Sequence, residues 1–532
     1  MMIHTNLIIY NARLYDPIDG FLNASAIGID GNKIVLLGSD KEILGYRRSE
    51  TQVINARGKI LLPCFTDGHI HFIGYVRRKE EVRLEHCTSL DETLSHIKKK
   101  VERSVEGEWI TGGGWNRNLW PSNQYPHFRL LDQISARHFI ALDSKDWHTT
   151  WVNSPVLHLA GISAEVPYKK AKHLAVHPVT GEFTGVLEEE ARLKVYQLLP
   201  KLNYAKLRKS YLSSLLDFYR LGFSGIHIVE TPDEFEVFRE AKLAGEIGLR
   251  TNWYVPIQMI SKVTEFSQRE TVGDDFLRIS GTKVFVDGTF GSQTAELTEN
   301  YRHLHHAGIG VLDQQQLKDF VNQSVKNKLS CAIHAIGDRA VRRTLHAIGE
   351  KAKQSRSLDL RHRIEHAQMV HPNDIHLFKK YNVIASVQPL HIAYDISLIE
   401  KYLGERGKFT YPLASLHQNE VNLIFGSDAP VEDFHPWKAI YSAMERRLNL
   451  NPTEPSFYPE EKLNLPTCIK AYTYNAAKAV GVENRLARLQ LNMLADFFLV
   501  DRDVFNIELP ALKDAESVLT VIDGEIVYRN LE

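Results

Sequence analysis

Short apolar runs separated by amphipathic stretches fill the middle of the chain, the pattern of alternating β and α units around a parallel sheet. Eight runs read as strands: 60–65, 222–229, 249–255, 279–286, 329–334, 360–365, 383–387 and 422–425. Eight such units predict an α/β fold of the TIM-like (β/α)8 barrel type, whose chemistry sits at the carboxyl ends of the strands. Seven of the connections suit a helix and its loops. The first, about 75–205, is far too long for one and predicts an inserted subdomain, with an amphipathic helix near 91–105 and an aromatic-rich stretch at 109–120.

The two ends of the chain read as β structure instead. Residues 7–15, 26–37 and 51–62 are rich in Ile, Val and Leu, with an Asp30-Gly31 turn signal, and the far end repeats the design around Asp523-Gly524. Neither end alone covers its own apolar face, so the two together predict one small composite β-sandwich. The organisation expected is therefore 1–59 and 484–532 for the sandwich and 60–483 for the barrel with its insertion.

Composition narrows the function classes. Lys and Arg total 64 against 65 Asp and Glu, a net charge of −1 without blocks of like charge, so nothing attracts a nucleic-acid backbone or an anionic membrane. No apolar run approaches the roughly 18 residues of a membrane span. The first residues lack a basic region followed by an apolar run and a cleavage site, so a cytoplasmic protein is expected. Cys64, Cys87, Cys331 and Cys468 lie far apart without a C-x-x-C pair, which argues for reduced thiols and against a cysteine zinc site. A homodimer suits an enzyme of this size, without a legible interface pattern.

The chemistry gathers at strand ends. His69-Ile70-His71 follows the first strand run, and strand alternation points both imidazoles the same way, a geometry that chelates one metal. With 24 histidines in the chain such a pair also arises by chance, and His303-Leu304-His305, in a loop without a preceding strand, reads as solvated or lid-like. Company distinguishes the first pair. His334 ends the fifth strand, His366 follows the sixth, Asp428 closes the eighth and Lys283 lies on the fourth, so four histidines, an aspartate and a lysine converge on one mouth. Imidazole and carboxylate suit zinc and related divalent ions. Lys283 on an apolar strand has two readings: a salt bridge to a buried acid such as Asp287, or an amine of lowered pKa that takes up CO2 as a carbamate and bridges two metals.

Five stretches then stand together: Pro63-Cys-Phe-Thr-Asp-Gly-His-Ile-His, the Lys283 strand, His334-Ala-Ile-Gly-Asp-Arg-Ala, Arg361-His-Arg-Ile-Glu-His-Ala-Gln and Gly426-Ser-Asp-Ala-Pro-Val-Glu. With Trp147-His-Thr-Thr-Trp, Thr184-Gly-Val-Leu-Glu, Asp287-Gly-Thr-Phe-Gly-Ser and Ser386-Val-Gln-Pro-Leu-His, the chain resembles the amidohydrolase superfamily over nearly its whole length, and more narrowly its family-3 branch, which includes N-substituted formamide deformylase. The resemblance implies that His69, His71 and Asp428 hold one divalent metal, that His334 and His366 hold a second, and that carbamylated Lys283 bridges them, with two zinc ions the expected pair. Cys64, where the family often has glycine, and 489–496, which lacks the usual glycine-rich turn, are departures that touch no ligand.

The activity this implies is hydrolysis of a non-peptide C–N bond in a small amide-like substrate, an amide, N-substituted formamide or cyclic amide, by a hydroxide bridging the metals. Asp428 is placed to take the water's proton and pass it to the leaving nitrogen. His227, ending the second strand, and His391, following the seventh, are candidate donors to the reacting carbonyl. Glu365 and Asp338 read as partners that orient ligands, and Trp115, Trp120, Trp147 and Trp151 as pocket walls or as the core of the insertion. Two other readings compete. A mononuclear deaminase would dispense with Lys283 and want an H-x-x-E motif, which His334-Ala-Ile-Gly lacks; a catalytically silent scaffold would be expected to lack ligands.

Overall fold

The computed structural model describes residues 5–531 except 122–124, 146–148, 164–173, 178, 189, 201–202 and 269–270. The chain forms two compact units, 1–73 with 211–532 and 74–210.

The larger unit contains an eight-stranded parallel sheet in the chain order of its strands. These are β1 (Phe65–Ile70), β2 (Phe223–Ile228), β3 (Arg250–Pro256), β4 (Leu277–Phe285), β5 (Ser330–Ala335), β6 (Arg363–His366), β7 (Ile384–Val387) and β8 (Leu423–Phe425). The sheet curls into a (β/α)8 barrel and is closed just beyond β8. There the Asp428 N–H donates to the His69 carbonyl at 2.7 Å and the His71 N–H to the Ala429 carbonyl at 2.9 Å. Asp67 reinforces the seam, one carboxylate oxygen accepting the backbone N–H of both His69 and Ser427 at 3.0 Å. Helix starts are written locally: Thr231 and Asp313 cap the helices Pro232–Leu243 and Gln314–Lys326 in reciprocal boxes with Glu234 and Gln316.

The ends of the chain pair as the sequence predicts. One sheet has four strands, all from the N-terminal end; the other has six and combines Arg13–Asp16, Gly20–Phe21 and Ile60–Pro63 with Phe497–Val500, Ser517–Ile522 and Glu525–Arg529. Their facing sides share a core of Ile9, Leu14, Ile27, Leu61, Phe497 and Leu519 among others. The two Asp-Gly turns meet: a Cβ on Gly524 would lie 2.0 Å from the Gly31 carbonyl oxygen, and at φ +83° that position favours glycine twice over.

One boundary differs from the sequence reading. The run 60–65 is not the first barrel strand: Ile60–Pro63 pairs with Phe497–Val500 in the sandwich, and the barrel begins at Phe65. Cys64 is the crossing point, its N–H donating to Asp496 in the sandwich while the next N–H, of Phe65, donates to Gly222 at the foot of β2. An unbroken apolar run carries no mark of which sheet each half enters. The histidine pair accordingly straddles the strand end, His69 on β1 and His71 just after it.

The smaller unit holds a six-stranded mixed sheet and the predicted helix, Leu90–Val101, capped by Ser89. Trp115, Trp120 and Trp151 are buried in its core, with Trp115 stacked on Trp120 at 5.9 Å. These three are core residues; Trp147 lies outside the described residues.

Within the larger unit Arg250 at the start of β3 forms two hydrogen bonds to Asp496, at 2.7 and 2.9 Å, and a third to Asp523 at 2.9 Å, tying barrel to sandwich with Arg250 and Asp496 both buried. Removing one partner leaves a buried charge uncompensated, so Asp496→Ala is expected to cost about 3–5 kcal/mol in urea unfolding. A loss under about 1 kcal/mol would show that the ion pair is not what holds this junction.

Candidate metal centre

The six residues expected as ligands lie at or near the carboxyl ends of the barrel strands, and three of them, His69, His366 and Asp428, are brought within mutual reach. His69 Nε2 lies 3.4 Å and His71 Nε2 3.5 Å from the same Asp428 oxygen. The His366 ring is centred 5.0 Å from that of His69 and 4.5 Å from that of His334. Donor atoms of His69, His366 and Asp428 all lie within 4.8 Å of one another.

Getting them there takes unusual backbone. Glu365 and His366 are consecutive, and on a regular strand they would face opposite sides. A φ of +72° at His366, followed by +43° at Ala367, turns the imidazole inward beside Glu365, and Asp428 sits at φ +59° on the other side of the seam. Left-handed backbone at non-glycine residues stores strain, and it concentrates where function over-determines it.

Under the ligands lies a layer of supports. The His69 Nδ1–H donates to Glu365, which orients the ring so that Nε2 faces Asp428. Glu365 is held in turn by the Ser386 hydroxyl at 2.8 Å and by the Nε and Nη2 groups of Arg363, one to each carboxylate oxygen. Arg363 was not singled out from the sequence. The available signal was its i, i+2 spacing from Glu365 in Arg361-His-Arg-Ile-Glu, which puts both on one face of a buried strand where a lone cation needs a partner.

Lys283 is buried and its Nζ has no hydrogen-bond partner. The salt bridge to Asp287 is absent: that carboxylate accepts the backbone N–H groups of Glu296, Ile336 and Gly337 at 2.8–3.0 Å instead. Burial pulls the Lys283 ammonium down to about 8, so a substantial fraction is the neutral amine that CO2 requires. Burial likewise pulls His334 down to about 3 and His366 well below the ordinary imidazole range, leaving both neutral. For Asp428 burial acts upward, but the hydrogen bond and charge of His69 outweigh it and hold the carboxyl well below its usual range. His334 Nε2–H donates to the Gly288 carbonyl at 3.1 Å, freeing Nδ1, and His366 Nδ1 is buried without a partner. Neutral imidazoles with free lone pairs, an ionised carboxylate and an orphaned amine form a donor set that fits divalent cations of the zinc type.

The remaining candidates separate. His391, in the first turn of the helix Pro389–Leu403, has its ring 6.5 Å from that of His366, and its Nδ1 faces the Gln368 amide at 3.5 Å. His227 is fully buried, its Nδ1 accepts from Arg363 at 3.0 Å, and it lines a small cavity with Thr66, Ser224 and Asn252 from the amino-terminal halves of β1–β3. It is joined to Glu365 through Arg363, and its Nε2 is buried without a hydrogen-bond partner. Asp338 opens the helix Asp338–Gly349 and accepts the Thr298 N–H at 2.8 Å, a structural role. His303 and His305 are exposed in their loop.

Comparison with known proteins agrees with this geometry. Residues 52–528 match the sequence model described as "Amidohydrolase family". "Protein LONG AFTER FAR-RED 3" of Arabidopsis thaliana is 29% identical, covering 99% of this chain and 92% of that protein. "N-substituted formamide deformylase" of Arthrobacter pascens is 21% identical over 95% of each. Among solved structures, an uncharacterised metal-dependent hydrolase of Pyrococcus horikoshii superposes with a TM-score of 0.79 at 23% identity, covering 94% of this chain and 99% of that one, a likeness of fold.

Two outcomes follow from the supports and from Lys283. Glu365→Gln weakens the acceptor for His69 and leaves Arg363 unbalanced, and is expected to lower metal affinity about 10–100-fold in chelator competition; an unchanged affinity would remove Glu365 from this role. Lys283 binds its proton up to about pH 8 in the folded protein and up to its ordinary 10.5 when unfolded. Between those values the unfolded chain holds more protons, so metal-free protein gains stability from Lys283 as pH rises. The stability gap between Lys283→Met and the parent should accordingly be widest below pH 8 and narrow toward pH 10 in urea unfolding. A constant gap would mean the amine is not desolvated.

Proposed function

The chain belongs to the amidohydrolase family, and from that premise we propose that it is a binuclear metal hydrolase cleaving a non-peptide C–N bond of a small amide-like molecule. The observation that carries this reading is Lys283, buried without a hydrogen-bond partner and within electrostatic reach of His69, His334 and Asp428. An orphaned lysine there has a purpose if CO2 converts it to a carbamate that, with His69, His71, His334, His366 and Asp428, holds two divalent ions, for which zinc is our first choice. Such ions supply an ionised water at neutral pH and polarise a carbonyl.

The protein's own groups do the rest. Asp428, ionised and beside both His69 and His71, accepts the proton of the attacking water on a carboxylate oxygen and delivers it to the leaving nitrogen. Water's oxygen bonds to the carbonyl carbon, the C–N bond breaks, and carboxylate and amine leave. With Nδ1 facing the Gln368 amide, His391 Nε2 is the ring nitrogen left to donate to the carbonyl oxygen as charge develops. Glu365 and Arg363 keep His69 in one tautomer through the cycle. Four buried, unpaired thiols accord with a reducing compartment, and we place the enzyme in the cytoplasm. No helix among the described residues is long and apolar enough to cross a membrane.

A mononuclear centre has one observation in its favour, the tight grouping of His69, His366 and Asp428 alone. Elemental analysis decides between them, paired with native mass. Two metals per chain and the added mass of one CO2, lost in Lys283→Ala, are expected; one metal with unmodified lysine would replace this reading with the mononuclear one. Asp428→Asn is expected to keep the fold and to lower kcat about 10²–10⁴-fold, and a near-normal rate would take the proton transfer away from it.

A further inference from the structure

We propose that Cys87, Glu92 and His96 form a metal site of their own in the smaller unit, distinct from the barrel centre, which takes a single zinc-type divalent ion through a thiolate, a carboxylate and an imidazole. Their spacing, C-x4-E-x3-H, matches none of the paired-cysteine zinc patterns, and the fold is what brings the three together. One donor atom from each lies within 4.8 Å of the other two.

The local backbone sets the three in place. The Cys87 N–H donates to the Leu84 carbonyl at 3.1 Å, closing a turn, and Ser89 then caps the helix Leu90–Val101. Glu92 and His96 stand four residues apart on that helix, so they share one face, and both are exposed. Glu92 Oε2 accepts the Thr88 N–H at 2.9 Å and the Thr88 hydroxyl at 3.5 Å, which holds the carboxylate against the neighbour of Cys87 and leaves Oε1 for a cation. Cys87 itself is 2% exposed, shares a core with Leu84 and Ile97, and is in no disulfide. Its thiol therefore lies between that core and the exposed pair.

Helix surfaces often carry an acid and a histidine at this spacing with no metal. The thiol beside them is what distinguishes this pair, since thiolate and imidazole select zinc and its neighbours, whereas magnesium and calcium take oxygen ligands. Tetrahedral zinc, with bonds of about 2.0–2.3 Å, places its donors about 3.3–3.6 Å apart. From separations of up to 4.8 Å, rotation of two exposed side chains supplies the closure, and water completes the fourth position. Burial and then the Glu92 charge push the Cys87 thiol up, so it stays protonated until a cation arrives. On binding, the S–H proton leaves to solvent as the metal–sulfur bond forms, with no change of oxidation state. The ion ties the turn at 84–89 to the first two turns of the helix. Three protein ligands at a surface hold it less tightly than the barrel set holds its own, so the site fills when metal is supplied in excess.

The test uses sulfur. None of the six candidate ligands of the barrel carries it, so a thiolate-to-cobalt charge-transfer band in the full-length protein reports a cysteine site alone. Metal-free protein titrated anaerobically with Co2+ is expected to develop that band at one ion per chain, and zinc should bleach it where magnesium does not. Cys87→Ser should abolish the band and bind one ion fewer at the same excess of metal. His96→Ala and Glu92→Gln alter exposed side chains and should each weaken cobalt binding at this band by about tenfold or more; they decide the matter even if Cys87→Ser does not fold. No band at saturating cobalt, a band that persists in Cys87→Ser, bleaching by magnesium as readily as by zinc, or an affinity unmoved by both helix substitutions would overturn the site.

Discussion

The ion pair of Arg363 and Glu365, both side chains wholly buried inside the barrel, is the contact on which the rest of the site depends. Burying two charges costs several kcal/mol per ion, returned only where every hydrogen-bonding position is filled. Here nearly all are. Arg363 donates to Glu365, to the Gly68 carbonyl on β1 and to His227 on β2, and lies over the Tyr254 ring of β3 at 4.6 Å. Glu365 receives Ser386 of β7 and His69 of β1. Five of eight strands are thereby tied at one level just below the ligands. A well-packed aliphatic pair would serve stability as well or better; what it would not do is hold the Nδ1 proton of His69 so that Nε2 stays free.

A barrel interior is ordinarily filled by branched aliphatic side chains. This one carries lysine, arginine, glutamate and histidines instead, so its cohesion must come from elsewhere in the same unit. At the foot of β1 the ring of Phe65 packs against Phe223, Trp437, Tyr472 and Phe498 at 4.9–6.1 Å, joining barrel strands, two later helices and the sandwich in one aromatic cluster. Apolar packing lies at that end of β1 and the ligands lie at the other. The division lets the carboxyl ends tolerate strained backbone and unpaired polar atoms that a uniformly packed barrel would expel.

Much of this was legible in the sequence because the barrel strands differ from their surroundings in period. Seven of the eight strands fall within a few residues of the runs that predict them, and the convergence of His69, Lys283, His334, His366 and Asp428 follows from putting each at a strand end. What was not legible depended on distance in the fold. The sheet change at Cys64 leaves no trace in an apolar run. His227 ends a strand as the others do, but whether it meets substrate or Arg363 is decided by how far up the strand it sits, a matter of one residue pair. Arg363 was present in the quoted motifs and carried no recognisable signature, since an arginine earns its role only from the acid beside it.

The motif Arg363-Ile-Glu-His then has a physical reading. Strand alternation sends Arg363 and Glu365 inward as supports and Ile364 outward as packing, and His366 would follow Ile364 were it not for its left-handed backbone. Breaking the strand at that residue is what lets a support and a ligand be adjacent in sequence and one layer apart in space. Asp428 uses the same device after β8, where Gly426 also permits the close approach of His69: a Cβ there would come within 2.4 Å of the His69 backbone nitrogen. Regular strand geometry thus builds the supporting layer, and two left-handed departures from it help assemble the layer of candidate ligands. A substitution that relaxed either departure would improve the strand and dismantle the centre.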